Sequence, residues 1–311
     1  MVDPPAAWRE GETTLLDHGG ATAAPALLLI PSLINRASIL DLSRDRSMAR
    51  ALAASGLRVF LLDWSWPDAE ARKLDLDGLI TGRLARAIDH IATTTGNKVT
   101  LVGYCMGGLL ATAAAQLQAA RVAGLALLAT PWDFHAAPDA PLGQMARLTD
   151  LLEPMMNATG TLSVDALQML FNVADPHSVG DKYRAFGATD QNSDRARQFV
   201  AIEDWLNDGV PLAAPLARQC LRDWYGANTP AHGKWQVAGQ VIAPHTLHLP
   251  SFVAIPGRDR IVPPESATPL AEAMPDAVVI RPTAGHVGMV AGATAKAALW
   301  SPLAAWARGI A

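Results

Sequence analysis

The chain has 311 residues, half of them hydrophobic, a formal net charge of −4 and an isoelectric point of about 6.0. This size and composition predict one large α/β domain with an insertion, and the scattered lysines and arginines form no basic stripe, which disfavours a nucleic-acid partner. The two cysteines suggest no disulfide framework and no apolar run could span a bilayer, so we expect a cytoplasmic protein without a transmembrane segment.

The first hundred residues alternate apolar runs with helical patterns. An edge strand is expected over Thr13–Asp17. Helices are predicted over residues 44–55, where a glycine follows, and over residues 77–95, where apolar positions recur at helical spacing. Buried parallel strands are predicted by three apolar runs, at residues 25–31, 57–64 and 99–104.

The third apolar run leads into the pattern Gly103-x-Cys105-x-Gly107, and an Ala- and Leu-rich helical stretch follows it directly. A nucleophile between a strand and a helix stands on a tight turn, and glycines two residues to either side allow that turn to close. The helix presents its amide end to the nucleophile, which favours a thiolate and an oxyanion. We therefore predict that Cys105 is a nucleophile. The alternative is a buried structural cysteine in a tight packing turn.

Two backbone amides are candidates for an oxyanion hole beside this cysteine. One belongs to Met106, the residue after the nucleophile. The other lies in the loop after residues 25–31, because hydrolases of this architecture draw their second amide from that loop. Leu33 is the candidate donor, and an ordinary strand-exit loop is the alternative. Trp64 and Trp66 follow the next strand, either near the site edge of the sheet or as core residues.

The alternation of strands and helices is lost between residues 132 and 248, where prolines, methionines and broken helical segments take its place. We interpret this stretch as an inserted helical cap over the site. It divides the α/β core into residues 1–131, which hold the nucleophile turn, and residues 249–311. The histidines of the insertion lack zinc-ligand spacing, so no metal is assigned.

An orienting carboxylate is predicted where the α/β pattern returns. The apolar run at residues 251–256 ends in Gly-x-Asp, which places Asp259 at a strand's carboxyl end before a proline-rich turn. The alternative is that Asp259 caps the helix expected to begin near Pro264. Asp276 is a weaker rival, because it opens the last core strand at the amino end, away from the site edge.

His286 stands in a Gly-flanked loop just past that last strand. The chain order Cys105, Asp259, His286 is the order that hydrolase-fold triads use. In this scheme the histidine takes the proton of the cysteine and later activates the attacking hydroxyl, and the aspartate fixes the histidine tautomer. A thiolate that attacks a thioester forms another thioester, so the acyl group stays activated. The use of cysteine therefore favours acyl transfer over hydrolysis.

Taken together, these motifs resemble the polyhydroxyalkanoate synthases, specifically the shorter catalytic subunits that work with a second protein. The similarity covers nearly the whole chain from about Pro25. Its stretches are Ile30-Pro31-Ser32-Leu33-Ile34-Asn35-Arg36 with Ile39-Leu40-Asp41-Leu42, Gly56-Leu57-Arg58-Val59-Phe60-Leu61-Leu62-Asp63-Trp64 with Pro67-Asp68-Ala69, Gly103-Tyr104-Cys105-Met106-Gly107-Gly108, Asp259-Arg260-Ile261-Val262-Pro263-Pro264 and Gly285-His286-Val287-Gly288.

The resemblance implies an α/β-hydrolase fold, with a mostly parallel central sheet and a helical cap, and the polymerisation of 3-hydroxyacyl-CoA into polyester. It implies CoA thioester as substrate without a cofactor, a second subunit or a homodimer as partner, and a place in the cytoplasm or at the surface of polyester granules. Two features depart from the family's pattern: Arg260 stands where a histidine is usual, and the N-terminal part is short. The alternatives are a Cys-dependent esterase, thioesterase or intracellular depolymerase of the same fold, and a catalytically silent granule-binding or partner subunit.

Overall fold

A computed structural model describes residues 3–136, 142–174 and 178–310 of the chain. Its central sheet is mixed and has eight strands, which are β1 (Ala6–Glu10), β2 (Thr13–Asp17), β3 (Ala26–Ile30), β4 (Arg58–Asp63), β5 (Val99–Tyr104), β6 (Val122–Leu128), β7 (Ser251–Ala254) and β8 (Val278–Ile280). Their order across the sheet is β1-β2-β4-β3-β5-β6-β7-β8. Strand β2 pairs antiparallel with both β1 and β4, and all the other neighbours are parallel. The predicted α/β-hydrolase fold is therefore confirmed.

Burial on both faces explains the apolar runs in the middle of the sheet. Every residue of β3 and of β5 is buried, because helices cover parallel strands from both sides. The last strand differs from the prediction of a core strand, since Val278 and Val279 are 48% and 42% exposed. Strand β8 lies at the edge of the sheet, where one side has no neighbouring strand.

The helices lie between and after these strands. They are α1 (Met48–Ala54), α2 (Ala85–Thr95), α3 (Met106–Leu117), α4 (Leu142–Thr159), α5 (Val164–Ala174), α6 (Ser178–Gly187), α7 (Asp194–Asn207), α8 (Ala214–Gln219), α9 (Pro264–Glu272), α10 (His286–Ala291) and α11 (Ser301–Arg308). Shorter helical turns are Ala37–Leu40, Ala71–Lys73, Leu76–Gly78, Leu79–Leu84, Cys220–Gly226, Pro244–Thr246 and Lys296–Trp300. Short strand pairs are Asp41–Ser43 with Arg46–Ser47, Thr161–Leu162 with Leu212–Ala213, and Gln236–Val237 with Gln240–Val241.

Two predictions near the N-terminus are wrong, one for the start of a helix and one for the position of a strand in the sheet. The helix expected over residues 44–55 begins only at Met48, because Arg46–Ser47 first pairs with the short strand Asp41–Ser43. Ser47 then caps the helix by accepting a hydrogen bond from the backbone N–H of Arg50 at 2.9 Å. The strand β2 is not the edge strand, because β1 pairs along its outer side.

The segment from residue 132 to residue 248 connects β6 to β7, which are neighbours in the sheet. Residues 137–141 and 175–177 of this predicted insertion lie outside the described residues. Its described part holds α4 to α8, and it touches the loop after β3. There Trp205 Nε1 donates to the Arg36 carbonyl at 2.8 Å and the Val210 N–H donates to the Ile34 carbonyl at 3.0 Å. Over the described ranges, no helix combines the length and the apolar character needed to cross a membrane.

Candidate active site

Cys105 stands on a strained turn between β5 and α3. Its backbone angles are φ 55° and ψ −127°, a conformation that side chains other than glycine rarely adopt. Its N–H donates to the Leu128 carbonyl at the end of β6, at 2.9 Å, which ties the turn to the neighbouring strand. A residue held in such a conformation costs on the order of 1–3 kcal/mol, so the surrounding structure must enforce it. The turn places the thiol at the N-terminus of α3.

Close backbone approach explains the two glycines that flank Cys105. A Cβ built on Gly103 would lie 2.4 Å from the Gly108 Cα. A Cβ built on Gly107 would lie 2.2 Å from the Ile30 carbonyl oxygen and 2.5 Å from that of Pro31. The helix α3 therefore begins directly against the end of β3, and the spacing of the motif follows from these contacts.

The aspartate and histidine of the sequence analysis meet beside this turn. His286 Nδ1 and Asp259 Oδ2 are 2.6 Å apart. The other carboxylate oxygen, Oδ1, accepts hydrogen bonds from the N–H groups of Ile261 at 2.8 Å and Val262 at 2.9 Å. Asp259 thus folds its own turn with one oxygen and orients the histidine with the other. Cys105, Asp259 and His286 are 7%, 5% and 8% exposed, so water weakens their interactions little.

The charges around His286 raise its pKa. Burial by itself lowers that pKa, but the negative charges of Asp259 and Cys105 and the hydrogen bonds to both residues outweigh burial and raise it to about 10. Because Asp259 engages Nδ1, Nε2 is the ring nitrogen left for Cys105. An imidazole with this pKa is protonated at neutral pH, and it stabilises a thiolate beside it. Acylation of the sulfur removes the thiolate charge, so the pKa of the histidine then falls.

The two residues expected to form an oxyanion hole lie in segments that pack against each other at Gly107. Met106 is the first residue of α3, and Leu33 lies in the loop after β3, which packs against α3 at Gly107. Within the described ranges, neither the Met106 N–H nor the Leu33 N–H donates a hydrogen bond to the protein. Free N–H groups at a helix N-terminus suit a developing negative charge.

The two tryptophans after β4 have different environments. Trp64 is buried and its indole N–H lies 3.4 Å from the Pro31 carbonyl, whereas Trp66 is half exposed. A cavity of about 50 Å³ lies between Trp64, Leu33 and Leu212, the last of which belongs to the insertion. The surface beside the loop after β3 is therefore concave and mainly apolar.

Sequence reasoning did not single out two tyrosines that the structure brings to the site. Tyr104 lies beside His286, with ring centroids 5.0 Å apart and its hydroxyl 3.4 Å from the His286 carbonyl oxygen. Tyr225, in the insertion, has its pKa raised by burial, then by the negative charges of Cys105 and Cys220. Tyr104 could have been noticed as the neighbour of the nucleophile. No local pattern marks Tyr225, whose ring packs against Phe134 only once the insertion has folded.

The remaining candidates lie elsewhere. Asp276, the rival acid, is exposed and precedes β8. Cys220 is buried, and burial raises the pKa of its thiol, which makes it a poor nucleophile. Within the part of the chain that the structure describes, no group of three or more His, Cys, Asp and Glu side chains could hold a metal ion.

The sheet order, the strained turn and the Cys–His–Asp arrangement together define an α/β hydrolase with a cysteine at the nucleophile position. The chain belongs to the alpha/beta hydrolase fold family, whose model matches residues 25–293. The monoacylglycerol lipase of Paleococcus ferrophilus has a similar structure, with a TM-score of 0.62 and 18% identity over 96% of this chain and 100% of the lipase. At this identity the similarity concerns the fold alone.

The expected similarity to polyhydroxyalkanoate synthases is confirmed. The chain is 28% identical to the poly(3-hydroxyalkanoate) polymerase subunit PhaC of Haloferax mediterranei over 96% of its own length and 62% of the relative's. It is also 28% identical to the protein of the same name from Allochromatium vinosum, over 93% of this chain and 82% of that relative. The chain therefore spans less than two thirds of the relative from Haloferax mediterranei and most of the relative from Allochromatium vinosum.

Proposed function

We propose that this protein is an acyltransferase that polymerises 3-hydroxyacyl-CoA into polyhydroxyalkanoate through a covalent acyl intermediate on Cys105. The observation that carries the proposal is a thiol at the nucleophile position, next to the His286–Asp259 pair, in a chain similar to poly(3-hydroxyalkanoate) polymerase subunits over more than nine-tenths of its length. The relatives' names supply the substrate class, and the thiol supplies a chemical reason for transfer.

The first half-reaction loads the acyl group. The Cys105 thiolate attacks the carbonyl carbon of the CoA thioester, and the Met106 and Leu33 amides hold the oxyanion that forms. The carbon–sulfur bond to CoA then breaks, and the departing CoA sulfur takes a proton from the His286 imidazolium. The products are free CoA and an acyl-cysteine thioester beside a neutral imidazole.

The second half-reaction forms the ester bond. Neutral His286 takes the proton of a hydroxyl group at the end of a growing chain, and the hydroxyl oxygen attacks the acyl-cysteine carbonyl. The bond to Sγ breaks, and the thiolate returns beside an imidazolium that Asp259 stabilises. The exchange of one thioester for another conserves the acyl activation until this step. A water molecule in place of the hydroxyl would hydrolyse the acyl-cysteine. Burial of the triad limits the access of water and therefore favours transfer.

The proposal includes the partners and location that the sequence suggested. The substrate is a CoA thioester and the product is a polyester, so neither step uses a cofactor or a metal ion. A second subunit or a second copy of this chain would complete the active form. The protein would act in the cytoplasm at the surface of polyester granules, where its product accumulates.

The test is incubation of the purified chain with 3-hydroxybutyryl-CoA, with free CoA, free 3-hydroxybutyrate and chloroform-soluble polymer measured in the same samples. The mass of the intact protein, measured in parallel, reports acylation before any polymer forms. We expect acylation of Cys105 and more CoA than free 3-hydroxybutyrate. One free 3-hydroxybutyrate for each CoA would instead identify a thioesterase. A protein that is never acylated would contradict both activities, and Cys105→Ala is the blank for every measurement.

A further inference from the structure

The loop that follows β3 pairs with the insertion through its backbone. The Val210 N–H donates a hydrogen bond to the Ile34 carbonyl at 3.0 Å, and the neighbouring residues Asn35 and Gly209 form an antiparallel bridge. Val210 is 4% exposed, so water competes little for this hydrogen bond. The insertion therefore supplies the partner that a neighbouring strand would otherwise give this loop.

A tryptophan side chain makes the next contact along the same loop. Trp205 lies in the last turn of α7, is 7% exposed, and donates its indole N–H to the Arg36 carbonyl at 2.8 Å. Arg36 Nε also lies 3.3 Å from Asp208 Oδ2, where the carboxylate is largely exposed. A buried hydrogen bond is screened less than an exposed ion pair, so the indole of Trp205 is the stronger of these two anchors.

The other end of this loop touches the nucleophile turn. The Pro31 carbonyl oxygen would lie 2.5 Å from a Cβ built on Gly107, two residues after Cys105, so the loop and the turn are in close backbone contact. Leu33 stands between this contact and the residues that the insertion holds, and it is 4% exposed. The position of the Leu33 amide therefore depends on an anchor on each side.

We propose that the insertion positions the Leu33 amide for the oxyanion, and that Trp205 is the positioning residue through its hydrogen bond to the Arg36 carbonyl. This inference rests on the proposed function, because it concerns the acylation step of the same site. The Met106 N–H needs no such support, since it belongs to the first turn of α3. Loss of the indole N–H would then weaken one of the two oxyanion donors and leave the thiolate and His286 in place.

The test compares two reactions of the same thiol in wild type and in Trp205→Phe, which keeps an aromatic ring and removes the indole N–H. In acylation by p-nitrophenyl butyrate, the thiolate attacks the carbonyl carbon, an oxyanion forms, and nitrophenolate leaves without needing a proton. In alkylation by iodoacetamide, the thiolate displaces iodide from a saturated carbon and no oxyanion forms. The ratio of the two rate constants therefore reports the oxyanion donors separately from the reactivity and access of Cys105. The mass of the intact protein measures both products, and Cys105→Ala is the blank.

The matched control is Gln198→Met. Gln198 also lies on α7, and its side-chain NH2 donates to the Ala291 carbonyl at 2.7 Å, at the end of α10. This variant therefore removes a hydrogen bond between the same helix and the core without touching the loop after β3. General loosening of α7 would change the ratio alike in both variants.

We expect Trp205→Phe to be acylated about ten-fold more slowly and alkylated at the wild-type rate, because complete loss of an oxyanion donor costs about a hundred-fold or more and a displaced donor costs part of that. Gln198→Met should keep the wild-type ratio. An equal loss in both reactions, no loss in acylation, or the same change of ratio in Gln198→Met overturns the inference.

A second variant, Asp208→Lys, tests the same anchor if Trp205→Phe does not fold. Asp208 is exposed and follows α7, where a lysine suits the helix dipole, so the fold should tolerate a lysine that repels Arg36. Acylation should slow about three-fold at an unchanged rate of alkylation, and a wild-type ratio overturns the inference.

The same samples separate this inference from the proposed function. If p-nitrophenyl butyrate acylates wild type and 3-hydroxybutyryl-CoA does not, the proposed function is contradicted, and the ratio in Trp205→Phe still decides the role of the insertion. A wild-type thiol that is alkylated but never acylated overturns both.

Discussion

Replacement of Asp259 by asparagine separates the two tasks of its carboxylate. In Asp259→Asn the side-chain oxygen can still accept the hydrogen bonds from Ile261 and Val262, which lie at 2.8 and 2.9 Å. The amide NH2 then faces His286 Nδ1, where the carboxylate oxygen stood at 2.6 Å. An NH2 group can only donate, so Nδ1 must become the acceptor and the imidazole proton moves to Nε2. That nitrogen is the one needed to take a proton from the cysteine or the incoming hydroxyl.

The expected loss of activity follows from two contributions. A charge-assisted hydrogen bond to the imidazolium is worth about 2 kcal/mol, and holding the histidine in the less favourable tautomer costs about 2 kcal/mol more. A sum of about 4 kcal/mol corresponds to a roughly thousand-fold slower CoA release from 3-hydroxybutyryl-CoA. The turn keeps both of its backbone hydrogen bonds, but the melting temperature at neutral pH should fall, because the carboxylate no longer raises the pKa of His286 and that contribution to stability is lost.

The assay is single-turnover CoA release, measured with wild type, Asp259→Asn and the matched control Asp276→Asn. Asp276 is exposed and precedes β8, so its variant should react at the wild-type rate. If Asp259→Asn folds and still releases CoA within about three-fold of wild type, the carboxylate does not act through His286.

Three further results are expected. Cys105→Ala should show no acylation in an intact-mass measurement, and its melting curve should be unchanged. The control Cys220→Ala should still be acylated. Acylation of Cys105→Ala would exclude the Cys105 thiol as the nucleophile. Gly107→Ala should lower the free energy of unfolding in urea by about 3 kcal/mol, because its Cβ would meet backbone carbonyls. In the control Gly187→Ala the new Cβ has nothing within 4 Å, so its free energy of unfolding should stay within about 0.5 kcal/mol of wild type. Equal stabilities of the two variants would refute the close approach at Gly107. The raised pKa of His286 stabilises the fold fully below pH 6.5, and this stabilisation should be lost as pH rises through about 10. The free energy of unfolding of wild type should therefore fall more between pH 6.5 and pH 10 than that of His286→Gln. An equal fall in the two proteins would contradict the raised pKa.

The sequence determined the parts of this protein that depend on local pattern. Residues 25–31 and 99–104 are mainly apolar because their strands are covered on both faces, and the structure buries every residue of β3 and β5. The Gly103-x-Cys105-x-Gly107 spacing predicted the turn because each glycine removes a backbone clash that any other residue would create. The position of Asp259 after an apolar run was equally visible; its side chain accepts from Ile261 and Val262 in its own turn and lies 2.6 Å from His286, but it does not cap the helix that begins at Pro264.

Only the tertiary structure decided which distant residues meet. The separation of 2.6 Å between Asp259 and His286 depends on β7 and β8 ending at the same edge of the sheet, which is a property of strand order and not of either sequence stretch. The edge position of β1 likewise depends on its pairing with β2, which the sequence pattern of either strand alone does not specify. Tyr225 packs against Phe134 because the insertion folds back over the loop after β6, and such long-range packing leaves no periodicity in the chain. Local sequence therefore specified the nucleophile turn, whereas the surroundings of that turn arise from contacts with segments distant in the chain, such as the end of β3 and His286.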